Sequence, residues 1–238
     1  LRKVELDAML HKWILDQRED ADSLPAAPAR LAQTSDILDR GVPIVCIDRR
    51  PVVDRVVPWV GNDDRAAAFN ATELLIRKGC RHILFISSHH SAHTRFDRDK
   101  GYRQALEAHG IPADENYSMR RPGIDPTPIE TEVMVYDFVQ KGLPLDGIIA
   151  SSEPAALGTL YALKRAGLRV PQDVKIVSFD STLYSRLTDP PLTSIERNPQ
   201  SIAQKSCELI LQMMRGEPPA ETEIYIPTNL VERASTDG

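Results

Sequence analysis

Four short polar segments each follow an apolar run: "DRRP" after "VPIVCID" (42–48), "SHHSAHTRFDR" after "HILFIS" (82–87), "SSEPAA" after "DGIIAS" (146–151) and "DSTLYSRLTDPP" after "VKIVSF" (174–179). They hold the residues best suited to chemistry. Asp180, at the end of its run, can accept two hydrogen bonds, from vicinal hydroxyls or a ring nitrogen. It can equally cap the turn "DSTL" that it opens. "HHSAH" supplies His89, His90 and His93. An imidazole pair four apart on a helix can hold a metal. Here the segment follows a strand and reads as a loop, with no acid or cysteine at a familiar ligand spacing, so a cleft lining or solvated loop is the simpler reading. No G-x-x-x-x-G-K-[ST] or G-x-S-x-G occurs, and no carboxylate pair stands out as general acid and base. The residues therefore favour binding over catalysis, and no cofactor is expected.

Such segments must be positioned by a scaffold. From Val42 onward, apolar runs alternate with longer amphipathic segments, the pattern of a parallel sheet with helical crossovers. The four runs read as strands buried on both faces. Between them, helical segments end at Gly79, Gly110, Gly142 and Gly167, each with a basic residue or histidine in the last turn. Residues 201–216 form a further amphipathic helix, with Met213 and Met214 read as core, and "EIYIP" (223–227) a late strand. "SLPAAPARLA" (23–32) reads as a linker between "LDAMLHKWIL" and the helix-like "SDILDRG". In an open parallel sheet, ligands bind outside the carboxyl ends of the strands, which is where the four polar segments lie.

With 238 residues, 42% of them apolar and 26% charged, the chain can bury one large core or two small ones. Its 29 Lys and Arg against 34 Asp and Glu give a net charge of −5, without the basic surplus of a nucleic-acid-binding domain. Cys46, Cys80 and Cys207, odd in number and widely spaced, suit buried thiols in a reducing compartment. The absence of a bilayer-length apolar run or a leader-like start predicts a cytoplasmic protein without membrane contact.

Six stretches in order, "GVPIVCIDR", "LLIRKGCRHILFIS", "RDKGYRQAL", "DGIIASSEPAALGTLYALKRAGLRVPQDVKIVSFD", "PPLTSIERNP" and "LVERAST", resemble the effector-binding core of the lactose/galactose repressor family of bacterial regulators. The resemblance covers about Val42 to Thr236. It implies an α/β, two-lobed, periplasmic-binding-protein-like fold with parallel sheets flanked by helices, three chain crossings, and a small ligand between the lobes. Crossings are expected near Asn62–Asp63, Glu196–Asn198 and Glu223–Tyr225. They divide the chain into a first lobe of 1–62 plus 198–222 and a second of 64–195 plus 224–238. Arg98, at the start of a helix expected to open after the strand 82–87, matches the family's "R-x-x-G-[YFW]" arginine that reaches into the cleft, and its five donors suit paired acceptors on a sugar or base; a helix-surface pairing with Asp97 or Asp99 is the alternative. Asp180 matches the family's acid after the strand, and Thr94 falls on a polar position of a cleft loop. Ser152 and Glu153 stand where the family usually carries Asn-Asp, a departure that implies a different ligand preference.

Nothing before Val42 resembles the family's helix-turn-helix, so operator binding is expected only through a domain absent from this chain. The first lobe is expected to be incomplete, since 41 residues replace the usual strand, helix and strand. The expected function is ligand sensing for a transcription regulator, with a sugar or related metabolite as effector and a homodimer as the assembly. A sugar transporter's solute-binding protein is the alternative, and a sugar-modifying enzyme a third.

Overall fold

The computed structural model describes residues 35–48, 50, 53–87, 92–120 and 127–237. The expectations for "LDAMLHKWIL", the 23–32 linker, His89, His90 and the side chain of His93 lie outside the described residues, as does much of the segment on which the expected incompleteness of the first lobe rests. Residues 35–39 are helical, as "SDILDRG" suggested.

The strands form two sheets. The first is parallel, in the order β1 (Cys46–Ile47), β2 (Trp59–Asn62), β8 (Glu223–Ile226). Helix α6 (Pro199–Met214) packs on one face, where Ile202 and Leu209 meet Val60, Ile224, Ile226 and Val45. The second has the order β4 (Ser118–Arg120), β3 (Ile83–Ser87), β5 (Gly147–Ala150), β6 (Lys175–Phe179), β7 (Thr193–Glu196), β9 (Asn229–Val231), and only β9 is antiparallel.

Successive side chains of a strand point to opposite faces, and both faces here are apolar. Phe85, Ile149, Val177 and Phe179 pack against α1 (Asp64–Arg77) and α2 (Ala92–Ala108). Leu84, Ile86, Ile148 and Ile176 pack against α3 (Pro128–Gln140) and α4 (Glu153–Arg165). Each helix pair is drawn together at a glycine. A Cβ on Gly101 would lie 2.1 Å from the Arg65 carbonyl oxygen, and one on Gly158 2.2 Å from that of Pro128. The four predicted glycine stops hold, with φ from +68° to +95°.

The chain changes sheet after Asn62 and after Glu196, as expected. The third change differs. Glu223–Ile226 pair with Trp59–Asn62, so the crossing falls between Ile226 and Asn229, and the residues assigned to the second lobe from 224 onward include a strand of the first sheet. Alternation explains it: Ile224 and Ile226 complete the apolar face under α6, while Glu223 and Tyr225 are exposed.

Three further expectations are corrected. Helix α2 begins at Ala92, so Thr94 is helical rather than in a loop and Arg98 lies well inside the helix. Cys207 is exposed, and Met214 is 64% exposed while Met213 is half-buried. The buried stripe of α6 runs through Ile202, Ser206 and Leu209; at 100° per residue Met213 follows it, but Cys207 and Met214 fall about 120–140° away.

Candidate functional site

Each sheet presents an acid at the carboxyl end of a strand next to a crossing. Asp48 follows β1 and Asp180 follows β6, with φ of 59° and 67°. Left-handed backbone is uncommon outside glycine and better tolerated by Asp than by most residues. Arg197, on the crossing between β7 and α6, stands near both: Nη2 lies 3.5 Å from Asp48 Oδ1 and Nε 3.7 Å from Asp180 Oδ1. With the buried Asn62 amide turned so that its oxygen faces the guanidinium, that oxygen accepts from Nε at 2.9 Å and Nη2 at 3.2 Å.

Beside them lies a cavity of about 710 Å³ whose lining includes Glu153, Asp180, Thr182, Glu196, Arg197 and Asn198. Of these, Arg197 and Asn198 lie on the crossing that leads from β7 into α6, while Glu196 and Asn229, also in the lining, are paired residues at the ends of β7 and β9. The volume is that of an ordinary small-molecule site, and the lining polar groups combine donors and acceptors. Among the described residues, no group of three or more His, Cys, Asp or Glu side chains is placed to hold a metal ion.

Of the expected site residues, Asp180 and Glu153 line this cavity. Glu153 is 4% exposed and engaged in holding structure. Its carboxylate accepts from the backbone N–H of Thr182 at 2.8 Å, that of Ser185 at 2.9 Å, and both hydroxyls. It thereby caps the amino end of α5 (Leu183–Leu187). Burial alone would raise its pKa, but the four donors together outweigh that and hold it below the usual carboxylate value. Ser152 caps α4, its hydroxyl accepting from Ala155 N–H at 3.4 Å. Thr94 is half-buried in the first turn of α2.

Arg98 is not the surface arginine of the alternative reading. It is 7% exposed, its Nε donates to Asp64 Oδ1 at 2.8 Å, and its Nη1 donates to the Ser151 carbonyl at 3.1 Å. The guanidinium lies over Phe179, 3.8 Å from the ring centroid. Ser151 precedes Ser152 and Phe179 precedes Asp180, so Arg98 braces two of the strand ends from behind. It is not among the side chains that line the cavity beside Asp180.

Sequence reasoning missed Arg197 and Asp48 as site residues. The signal was available for Asp48, which ends "VPIVCID" as Asp180 ends "VKIVSFD". For Arg197 it lay in position alone: a crossing residue faces both sheets.

Residues 72–236 match the sequence profile of the periplasmic binding protein-like domain. The chain is a member of that family. Within it, the chain carries the effector-binding core of the lactose/galactose repressor type. It is 31% identical to the HTH-type transcriptional repressor CytR of Escherichia coli over 76% of its own length and 52% of that protein's. It is 28% identical to an HTH-type transcriptional regulator of Lachnoclostridium phytofermentans over 74% of its length and 51% of the other's. Among solved structures, the transcriptional regulator CelR in complex with cellobiose superimposes with a TM-score of 0.75 at 27% identity, over 84% of this chain and 60% of that one. The chain spans about half the length of the curated relatives it matches. These family members are regulators rather than enzymes. No helix among the described residues is long and apolar enough to cross a membrane.

Proposed function

We propose that the chain is the ligand-sensing part of a bacterial, cytoplasmic transcription regulator, and that a small polar metabolite, a sugar or sugar derivative, binds between its lobes. One observation carries this reading: the cavity is lined by residues that follow strands of the second sheet, Glu153 and Asp180 among them, together with Arg197 and Asn198 of a crossing and Pro199 and Gln200 at the start of the helix that packs on the first sheet. A ligand there touches both lobes, and its binding changes the equilibrium between open and closed arrangements. The CelR–cellobiose complex supports a carbohydrate as the ligand class. Asp180 is the direct contact, accepting from hydroxyls, while Arg98 and Glu153 hold the loops on either side. Operator DNA is contacted through a helix-turn-helix segment outside these residues. The protein pairs with a second copy through the exposed Leu183, Tyr184 and Leu187 of α5.

A thermal-shift screen of neutral sugars, amino sugars, sugar phosphates and nucleosides tests the reading. A ligand at a hundredfold excess over its Kd stabilises the folded form by about 2.7 kcal/mol. For a chain of this size that is a rise of about 5–11 °C in melting temperature. A chemically related group of compounds should give it. A folded protein that responds to none of the panel refutes the proposed ligand class.

A further inference from the structure

Asp48 belongs to the first sheet's end of the molecule and Asp180 to the second's, yet their carboxylates lie within 3.5 and 3.7 Å of the same guanidinium. They are the two non-glycine residues of positive φ among the described residues. Such conformations persist where the surrounding structure holds them, and they concentrate at ligand clamps and switches. Arg197 sits on one crossing, and Asn62, its tight partner, ends the strand that leads into another. With the Asn62 amide turned so that its oxygen faces it, the guanidinium is fixed to the first sheet by hydrogen bonds of ordinary length. Towards the two acids its distances exceed those of a good hydrogen bond. That leaves a Coulombic attraction without a rigid geometry, one that survives a change in lobe angle. The side chains involved are about a third exposed, so the attraction is moderate.

We infer that Arg197 is a positioning residue for the cleft. Anchored on Asn62, it draws the strand-end acid of each lobe towards one centre, sets how far the lobes stand apart when no effector is bound, and presents the Asp180 carboxylate to the cavity. The inference rests on the two-lobed reading and adds the means by which the empty cleft is held. An effector that bonds to Asp180 then acts on the same centre that fixes the lobe angle.

The test needs no effector, so its failure leaves the proposed ligand class untouched. A spin label is placed on the exposed native Cys207 of α6 and a second on Lys141→Cys at the exposed end of α3, one on each lobe. Pulsed dipolar spectroscopy then gives the distribution of inter-lobe distances. The unsubstituted site should give a narrow distribution. Arg197→Gln should widen it or move it to longer distance, with the ratio of compact to extended populations falling about two- to fivefold. Arg197→Lys should recover part of the narrow distribution, because an ammonium can still face both acids but cannot reproduce the two bonds to Asn62. Asp48→Asn, which leaves Asn62 and Arg197 in place, should move the distribution in the same direction as Arg197→Gln. Salt at about 1 M, where the screening length falls to about 3 Å, should shift the parent protein the same way. Far-UV circular dichroism confirms that each variant is folded. Distributions that coincide for the parent, Arg197→Gln and Asp48→Asn overturn the inference.

Discussion

Replacing Arg98 by alanine should damage the second lobe more than any single change at the cavity rim. The side chains of Arg98 and Asp64 are 9% and 12% exposed, so the substitution leaves Asp64 with an unpaired charge in poor contact with water. Breaking such a pair from one side costs about 3–5 kcal/mol. Loss of the Phe179 stacking adds about 1 kcal/mol. Asp64 lies in the first turn of α1, where the helix dipole returns about 0.3–1 kcal/mol. Residual hydration of the Asp64 side chain, 12% exposed, limits the rest, and a net loss of about 3–4 kcal/mol follows. At this chain length that is a fall of about 6–16 °C in melting temperature. Arg98→Met with Asp64→Asn should cost less than the sum of the two single substitutions, by at least about 1 kcal/mol, since neither partner is then left charged alone. Circular dichroism melts of the five proteins, the parent included, measure both quantities. A fall of less than about 1 kcal/mol in Arg98→Ala, or strict additivity in the cycle, refutes the reasoning.

Glu153→Gln should lower the melting temperature at about pH 7 by the equivalent of about 1.5–3 kcal/mol, because a charged acceptor of four hydrogen bonds becomes neutral. The folded-state pKa of Glu153 is depressed, so its contribution is present above the ordinary value of 4.5 and is lost as pH falls through the lower folded value. The difference between parent and variant should accordingly shrink below that point, and a constant difference across it would contradict the assignment. Towards a thiol reagent, Cys207 should react fast, and Cys80, 2% exposed with its thiol pushed up to about 12 chiefly by burial, very slowly. Mass spectrometry of partly labelled protein reads the order, and early label on Cys80 would show that the second lobe opens. Leu183→Asp with Leu187→Asp should convert the proposed dimer into a monomer in sedimentation, and a variant of the same mass as a dimeric parent would move the proposed interface elsewhere.

The second lobe was largely legible in the sequence because its strands are apolar on both faces and its helices end on glycine. β3, β5 and β6 are each a continuous run, and Gly79, Gly110, Gly142 and Gly167 mark the stops without ambiguity. What escaped was carried by long-range pairing. β7 contains Thr193 and Ser194, polar yet fully buried, and reads as a loop until its partners are known. Those partners come from about 40 residues away. Thr193 bonds to the Ser235 and Thr236 hydroxyls, and Arg233 donates to the Leu192 carbonyl and the Ser194 hydroxyl. The sequence showed the "ERAST" motif without its purpose, which is to satisfy a polar strand. The amino-terminal part of α2 escaped for a different reason: "AHTRFDRD" lacks an apolar stripe, and the buried member among its described side chains is the arginine that packs on Phe179. At the site, Asp180 was legible as the end of a strand. The commitment of Glu153 to a helix cap was not, because its donors lie 29 and 32 residues further on.

The shift of the third crossing to the residues after Ile226 bears on how the molecule is made. β8 is hydrogen-bonded into the first sheet and β9 into the second, with two residues between them. On a ribosome, β3, β5 and β6 can assemble with their helices as soon as they emerge. The first sheet cannot receive its final described strand until the chain has passed Ile226, nor the second until it has passed Val231. The two lobes therefore reach completion within a few residues of each other, however early their first strands were synthesised. A nascent chain arrested before Glu223 would expose the open edges of β2 and β7 together, two unpaired strands of the kind that chaperones shield from aggregation.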